Sequence, residues 1–256
     1  MKISIVTVSF NQREFLRDAL ESVILQGYPD LEYIVIDPGS TDGSQELIES
    51  YSPGITQILF EPDQGAADGL RKGFARSTGE VLGFLNSDDL FEPGSFQRVA
   101  EFFQSHSDFD IAMGNGYVVD SEGKPVRHVK ARNFTVPRYF YGGARFLQQS
   151  TFFRKRAYIN SPGLNSQNRT CWDGELFVNM AHRGARIGYI DADLGRFRIH
   201  SQSISGSQRL TERYHADQMR VFQEIYGRDW RSTDSLLKLL YRGESALQHV
   251  DILRQR

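Results

Sequence analysis

The chain has a single cysteine in 256 residues. That count excludes a disulfide framework within one chain and any multi-cysteine zinc site. No run approaches the ~18 apolar residues of a membrane-spanning helix, and mean hydropathy is -0.44. There is no surplus of positive charge: Lys and Arg total 30 against 32 Asp and Glu, a net charge of -2. Such a balance gives no electrostatic footing for a nucleic-acid partner. The phosphate-loop pattern G-x-x-x-x-G-K-[ST] is missing. The lone G-x-G, Gly114-Asn115-Gly116, lacks the third glycine and following helix of a dinucleotide fingerprint. Repeats, low-complexity tracts and a Pro/Gly/Ser-rich linker are absent too. The apolar run in Met1 to Val6 is too short for a signal peptide, so a cytoplasmic location is expected.

What is there is a folded chain, 39% hydrophobic and 24% charged. Its length fits one large domain or two small ones. It should bury about 70–75% of its unfolded surface, enough for a full core. The first half alternates strand and helix. Residues 3–8 read as a buried strand. Asn11 can cap a helix in which Phe15, Leu16, Ala19, Leu20, Val23 and Ile24 recur at helical spacing, and Gly27 and Pro29 stop it. Strands follow at 33–36, 56–60 and 80–85, and helices at 44–51, 66–77 and 93–105, the last opening on Pro93. The alternation predicts a Rossmann-like, mostly parallel sheet with helices on both faces. The second half is less regular. A hairpin is expected around Asp120-Ser121-Glu122-Gly123, strands at 149–153, 187–190 and 197–199, and helices at 173–182, 208–226 and 234–253. The last carries Leu236, Leu237, Leu239 and Leu240, then Leu247, Val250 and Leu253, with Lys238, Arg242, Arg254 and Arg256 around them. Its acids Asp234, Glu244 and Asp251 weaken a membrane-surface reading. Packing on the body of the protein or a homodimer through the C-terminal helices is the alternative.

In an open α/β sheet, ligands bind outside the carboxyl ends of the parallel strands. That rule points to Ser9 and Asn11 after the first strand, Asp37 after the second, and Asn86-Ser87-Asp88-Asp89 after the fourth. Paired carboxylates at a strand end suit Mg²⁺ or Mn²⁺ held together with substrate phosphates. They also suit helix capping. Asp37 can accept a hydrogen bond from a base or a ribose hydroxyl, or it can support the sharp loop as an Asx-turn.

Several segments, in this order, resemble bacterial glycosyltransferase family 2. They are Thr7-Val8-Ser9-Phe10-Asn11, Ile36 to Ser44, Glu61-Pro62-Asp63-Gln64-Gly65, Thr78-Gly79-Glu80 and Leu85 to Asp89. Gln149 to Arg154, Asp173-Gly174-Glu175-Leu176 and Phe197-Arg198-Ile199-His200 continue the set, which covers roughly residues 1–205. The resemblance implies the A-type nucleotide-diphospho-sugar transferase fold and an inverting, metal-assisted transfer from a nucleotide sugar. The acceptor it implies is a glycan or a lipid-linked glycan, in polysaccharide assembly, with the protein cytoplasmic or peripheral at the inner membrane face. It implies a nucleotide-sugar-binding half over 1–105, an acceptor-binding and catalytic half over 106–205, and a helical extension over 206–256.

By the same resemblance, Asp37 matches a base contact, pointing to a UDP- or dTDP-sugar. Pro38 replaces a second acid common in that loop. Asn86-Ser87-Asp88-Asp89 matches the D-x-D region with Asn86 in place of its leading acid. This leaves Asp88 as metal ligand and Asp89 near the ribose or metal. Asp63, Asp68 and Arg71 match donor-binding segments, although Arg71 also reads as a surface arginine. Asp173 matches the catalytic base, and it can cap its helix as well. Glu175 is the competing carboxylate, whose replacement by glutamine should be mild. His200 matches a further metal ligand or diphosphate contact, and Arg198 can reach phosphate oxygens. Trp172 can stack on a sugar or fill the core, and Cys171 reads as a small buried residue. The alternatives are a sugar-nucleotide pyrophosphorylase, or a nucleotide-sugar binder without catalysis.

Overall fold

The computed structural model describes residues 1–203 and 210–254, with side chains described through residue 243. Arg256, and the side chains of Glu244, Leu247, Val250, Asp251, Leu253 and Arg254, lie outside the described residues. In chain order the first half comprises β1 (Ile3–Val8), α1 (Arg13–Ile24), β2 (Leu31–Ile36), α2 (Ser44–Ser50), β3 (Gln57–Leu59), α3 (Ala66–Arg76), β4 (Val81–Asn86), β5 (Leu90–Phe91) and α4 (Ser95–Ser105). The second half comprises β6 (Ile111–Val119), β7 (Pro125–Val129), α5 (Val136–Tyr141), β8 (Thr151–Arg154), α6 (Lys155–Ile159), α7 (Trp172–His182), β9 (Ile187–Arg198), α8 (Thr211–Tyr226) and α9 (Ser232–Arg254).

β1 is buried along its whole length, because it has a strand on each side and helices over each face. A strand so placed needs no polar side, and its sequence therefore reads as a run rather than an alternation. β1 pairs in parallel with β2 and β4, and β2 with β3. Leu16, Leu20 and Val23 of α1, Leu47 and Ile48 of α2, and Phe96, Val99 and Phe103 of α4 fill one face. Leu70 and Phe74 of α3, Ala157 of α6, and Leu176, Phe177 and Met180 of α7 fill the other.

The strands run in the order β3-β2-β1-β4-β8-β6-β9-β5, with β7 added to β6. The sheet is mixed rather than mostly parallel. Pairings β4–β8, β6–β8, β6–β7 and β5–β9 are antiparallel, and β6–β9 returns to parallel. Of the antiparallel pairs only β6 and β7 are joined by a short turn, while β8 and β9 return to the sheet from further along the chain. The sheet is continuous across residue 105, so the two expected halves share it. The strands expected at 187–190 and 197–199 are one strand, β9, whose register against β6 shifts around Asn115. Polar Asp191 and Asp193 interrupt its apolar pattern and make it look broken. Asn11 does not cap α1. It sits at φ 51, and its Oδ1 accepts from the Thr41 N–H at 2.9 Å. The Arg13 N–H is capped instead by Asp42 Oδ2 at 2.9 Å, while Asp42 Oδ1 accepts from the Ser44 N–H at the start of α2. Pro93 lies outside α4, which follows Gly94 in the left-handed region.

A third apolar cluster joins α5, α7 and α8 through Phe140, Tyr141, Val178, Val221 and Phe222. α9 meets this body through polar and aromatic groups. Asp234 pairs with Arg228 at 2.6 Å, Lys238 lies 5.7 Å from the Trp230 ring centroid, and Tyr241 stacks on Tyr141. Leu236, Leu237, Leu239 and Leu240 are exposed, so of the expected uses of this helix packing of these leucines on the body is not the one found. No described helix is long and apolar enough to cross a membrane.

Candidate active site

The carboxyl ends of β1, β2 and β4 open on a cavity of ≈ 660 Å³. The β3–α3 loop, the turn at Gln148-Gln149, the start of α7 and the chain after β9 complete its wall. Ser9, Asp63, Asn86, Ser87, Asp88 and Asp173, all singled out in the sequence, line it. Asn11, Asp37, Asp68, Arg71, Asp89, Arg198 and His200 do not.

Asp88 and Asp89 are adjacent in sequence and opposite in role. Asp88 faces the cavity, and its Oδ2 lies 3.0 Å from Nε2 of His200. The His200 imidazole is buried, 4.5 Å from the Phe15 ring centroid. Among the described residues no three His, Cys, Asp or Glu side chains converge on one point. Two protein ligands are nonetheless a fitting set for a hard divalent ion, which keeps its other positions for phosphate oxygens and water. Asp89 is turned inward and is not placed as a metal ligand. Its Oδ1 accepts from the Arg198 N–H at 2.9 Å, and its Oδ2 from Gln149 at 2.5 Å and Asn86 at 3.1 Å. Burial and then the Asp88 charge push its carboxyl up, against the pull of these three donors. Its work is to tie the end of β4 to β9 and to the Gln149 turn.

Asp37 is fully buried, and the Asx-turn reading holds for it. Its Oδ1 accepts from the Gly39 and Ser40 N–H groups and from Gln45 Nε2, and its Oδ2 from Ser40 Oγ at 2.6 Å. With both oxygens engaged, it shapes the loop behind the cavity rather than reading a base. Asp68 caps its own loop through the Gln64 N–H and pairs with Arg71 at 2.7 Å. Arg71 is exposed there and lines a different hollow, between the 162–166 loop, α7 and α8. Arg198 binds Asp18 through Nη2 at 2.9 Å and the Ser121 carbonyl through Nη1 and lies over the face of Phe15, while its Nε is buried without a partner among the described residues.

α7 begins at Trp172 after Cys171. Asp173 therefore lies inside the first turn rather than at the cap, and its Oδ1 accepts from the Gly174 N–H at 2.8 Å. Burial raises its carboxyl above the ordinary aspartate range. Glu175, two residues on, is buried and bridged to Arg220 of α8 through both oxygens at 3.0 and 2.6 Å. Asn165 and Asn168 bind it as well. It is a clamp between α7 and α8, and the expectation that its replacement is mild is corrected. Glu175→Gln should lower stability by about 2–3 kcal/mol, less than the ~3–5 of a fully buried pair because Arg220 reaches solvent. Thermal unfolding measures this, and an unchanged Tm would remove the clamp. Cys171 is buried, with its thiol pushed up to about 11, and has no nucleophilic character.

Sequence reasoning missed the Gln148-Gln149 turn as a cavity wall. Gln148 donates to the Phe84 carbonyl at 2.6 Å and leaves its Oε1 buried without a partner among the described residues. Ser9 Oγ and Trp172 Nε1 are in the same state. The turn is seated by Gly195, where a Cβ would stand 2.6 Å from the Gln149 carbonyl. Arg169 was missed too. Its guanidinium lies over Gly65, at φ 111, where a Cβ would be 2.1 Å away. Its charge offsets part of the burial that raises Asp63. No sequence pattern marks Gln148 or Arg169, and Gln149 entered only as the first residue of a family-like segment.

Residues 4–161 match the family model Glycosyl transferase family 2. An uncharacterized glycosyltransferase of Nostoc sp. is 35% identical over 129 residues, 49% of this chain and 40% of its own length. The putative teichuronic acid biosynthesis glycosyltransferase TuaG of Bacillus subtilis is 32% identical over 108 residues, 41% of this chain and 43% of its own. The chain thus matches about two fifths of the length of these curated relatives. Among solved structures, S. aureus TarS 1-349 in complex with UDP-GlcNAc superposes with a TM-score of 0.72 at 17% identity, over 98% of this chain and 73% of that one. The mannosyltransferase PcManGT from Pyrobaculum calidifontis, in complex with GDP-Man and Mn2+, gives 0.66 at 17% identity, over 96% and 69%. At that identity the two structures speak for the fold, an A-type glycosyltransferase sheet with helices at the C-terminus. The family match spans more than half the chain, and the chain belongs to glycosyl transferase family 2.

Proposed function

We propose that this glycosyltransferase moves a sugar from a nucleoside diphosphate donor to a glycan or lipid-linked hydroxyl, inverting the anomeric carbon. The observation that carries the reading is that Asp88, backed by His200, and Asp173 open on one cavity from different elements. One end can hold the diphosphate and the other the incoming hydroxyl. Asp173 takes the hydroxyl proton as the oxygen attacks the anomeric carbon. The bond from that carbon to the diphosphate oxygen breaks, and its electron pair leaves with the nucleotide. Asp88 and His200 are the residues that would hold Mn²⁺ or Mg²⁺, and a bound divalent ion supplies positive charge against the departing diphosphate. With Asp37 engaged in its loop, the preference for a UDP- or dTDP-sugar rests on likeness to the TarS complex with UDP-GlcNAc. A role in surface polysaccharide assembly rests on relatives such as TuaG.

A panel of UDP-, dTDP- and GDP-sugars, incubated with Mn²⁺ and with chelator, tests the reading. Metal-dependent release of one nucleoside diphosphate is expected. With acceptor present, NMR should show a product anomer opposite to the donor's. Retention of configuration, or no turnover of any donor, would contradict the proposal.

A further inference from the structure

Between Glu122 and Asp173 the chain has no aspartate or glutamate in 50 residues, yet it carries ten lysines and arginines. In a protein of net charge -2 this is a strong local imbalance. Several of the ten are engaged. Lys124 pairs with Glu122, Arg156 with Asp110, and Arg154 and Lys155 bind backbone carbonyls. Arg127, Lys130 and Arg132 are not. Among the described residues their side chains make no hydrogen bond or ion pair, and Arg132 Nη2 is buried without a partner. Arg127 and Lys130 are exposed on β7 and just after it.

The sheet register puts this group three strands from Asn86 at the cavity. Leu82 of β4 and Ile111 of β6 both pair with Phe153 of β8. Four residues further along each strand, Asn86 and Asn115 stand at one level. The Asn115 Oδ1 accepts from the Ala131 N–H at 3.0 Å, which fixes Lys130 and Arg132 on either side of that point. Three inter-strand steps, β4 to β8 to β6 to β7, span roughly 14 Å, about the length of a few linked sugars. Arg132 is also bridged through its backbone to Arg145 at 2.9 and 3.1 Å. Burial and then the Arg132 and Arg127 charges hold the Arg145 guanidinium below its ordinary range, so the positive groups act on one another. The carboxylates on the adjoining strand are already taken, Asp191 by Asn115 at 3.0 Å and Asp193 by His128 at 2.7 Å.

We propose that Arg127, Lys130 and Arg132 form a cationic acceptor subsite, which binds a phosphodiester-linked glycan and leads its free hydroxyl toward Asp173. The assignment rests on the transfer reading above and adds to it the charge class of the acceptor. A phosphate two or three units from the reacting end falls within reach of the shelf. Guanidinium groups without protein partners supply forked donors for its oxygens. A membrane surface fits less well, because Val126 is the one large apolar side chain exposed on β7.

The test uses inorganic polyphosphate as probe, with calorimetry on the wild type and on Arg127→Gln/Lys130→Gln/Arg132→Gln. Saturating UDP and Mn²⁺ occupy the donor end. Three lost charge contacts should weaken polyphosphate about tenfold, with a larger difference at low salt. UDP affinity should be unchanged. If loss of the Arg132 side chain lowers Tm, the exposed pair Arg127→Gln/Lys130→Gln carries the same test with a smaller effect. Equal polyphosphate affinity in wild type and variants overturns the proposal. Loss of binding to phosphatidylglycerol vesicles without loss of polyphosphate binding also overturns it, in favour of a membrane. A wild type that binds polyphosphate at this shelf but no nucleoside diphosphate would sink the transfer reading and leave the anion site standing.

Discussion

Asp173→Asn should lower kcat by ~10²–10⁴-fold, the usual contribution of a positioned general base. Nucleotide affinity should be unchanged, because Asp88 and His200 lie on other elements. The fold should not suffer. Asp173 accepts from the N–H of Gly174, which an asparagine oxygen can also do. Burial disfavours its charge, so removing that charge leaves Tm the same or slightly higher. The pH profile separates chemistry from structure. A base acts when deprotonated, and burial has raised this carboxyl above the ~3.9 of an exposed aspartate. The wild-type kcat should therefore rise with pH through that elevated value, and its acid limb should vanish in the variant. Glu175 cannot take over, since both of its oxygens are bound to Arg220.

Asp88→Asn has the complementary outcome. The substitution keeps the side-chain shape and its reach to His200 but removes the negative charge on the cavity wall. Nucleoside diphosphate affinity in Mn²⁺ should fall at least about tenfold, the scale on which even outer partners of metal ligands act. The residual affinity should no longer respond to chelator. Tm should hold, because the fold at this strand end is tied by Asp89, not Asp88. Titration calorimetry with and without EDTA reads both effects. Affinity equal to wild type under both conditions would remove the ion from Asp88.

The strand ends were legible because their signal is local. A buried run followed by polar residues marks Ser9 and Asn86 to Asp88 without knowledge of what packs around them. The split between Asp88 and Asp89 was not legible. It is decided by partners 60 and 109 residues away, Gln149 and the Arg198 N–H. The loop role of Asp37 was one of two readings in the sequence, and its partners were hidden for the same kind of reason. Whether a strand-end carboxylate faces a ligand depends on the donors the loop folds back onto it, here Ser40 and Gln45. His200 meets Asp88 across 112 residues, and only the family resemblance pointed to it. β5, α5 and α6 are two, six and five residues long, too short to show a period. The leucines of α9 could not say whether it packs on the body, because Asp234, Lys238 and Tyr241 make its contacts there.

The central claim is that one cavity divides donor binding and proton removal between Asp88 and Asp173. It is tested most directly by measuring nucleoside diphosphate affinity, with Mn²⁺ and with chelator, and sugar transfer rate on the same preparations of wild type, Asp88→Asn and Asp173→Asn. A crossed pattern is expected: Asp88→Asn loses affinity and its response to chelator, while Asp173→Asn keeps both and loses rate. Asp173→Asn weakening nucleotide binding as much as Asp88→Asn, or transferring sugar at the wild-type rate, would contradict it.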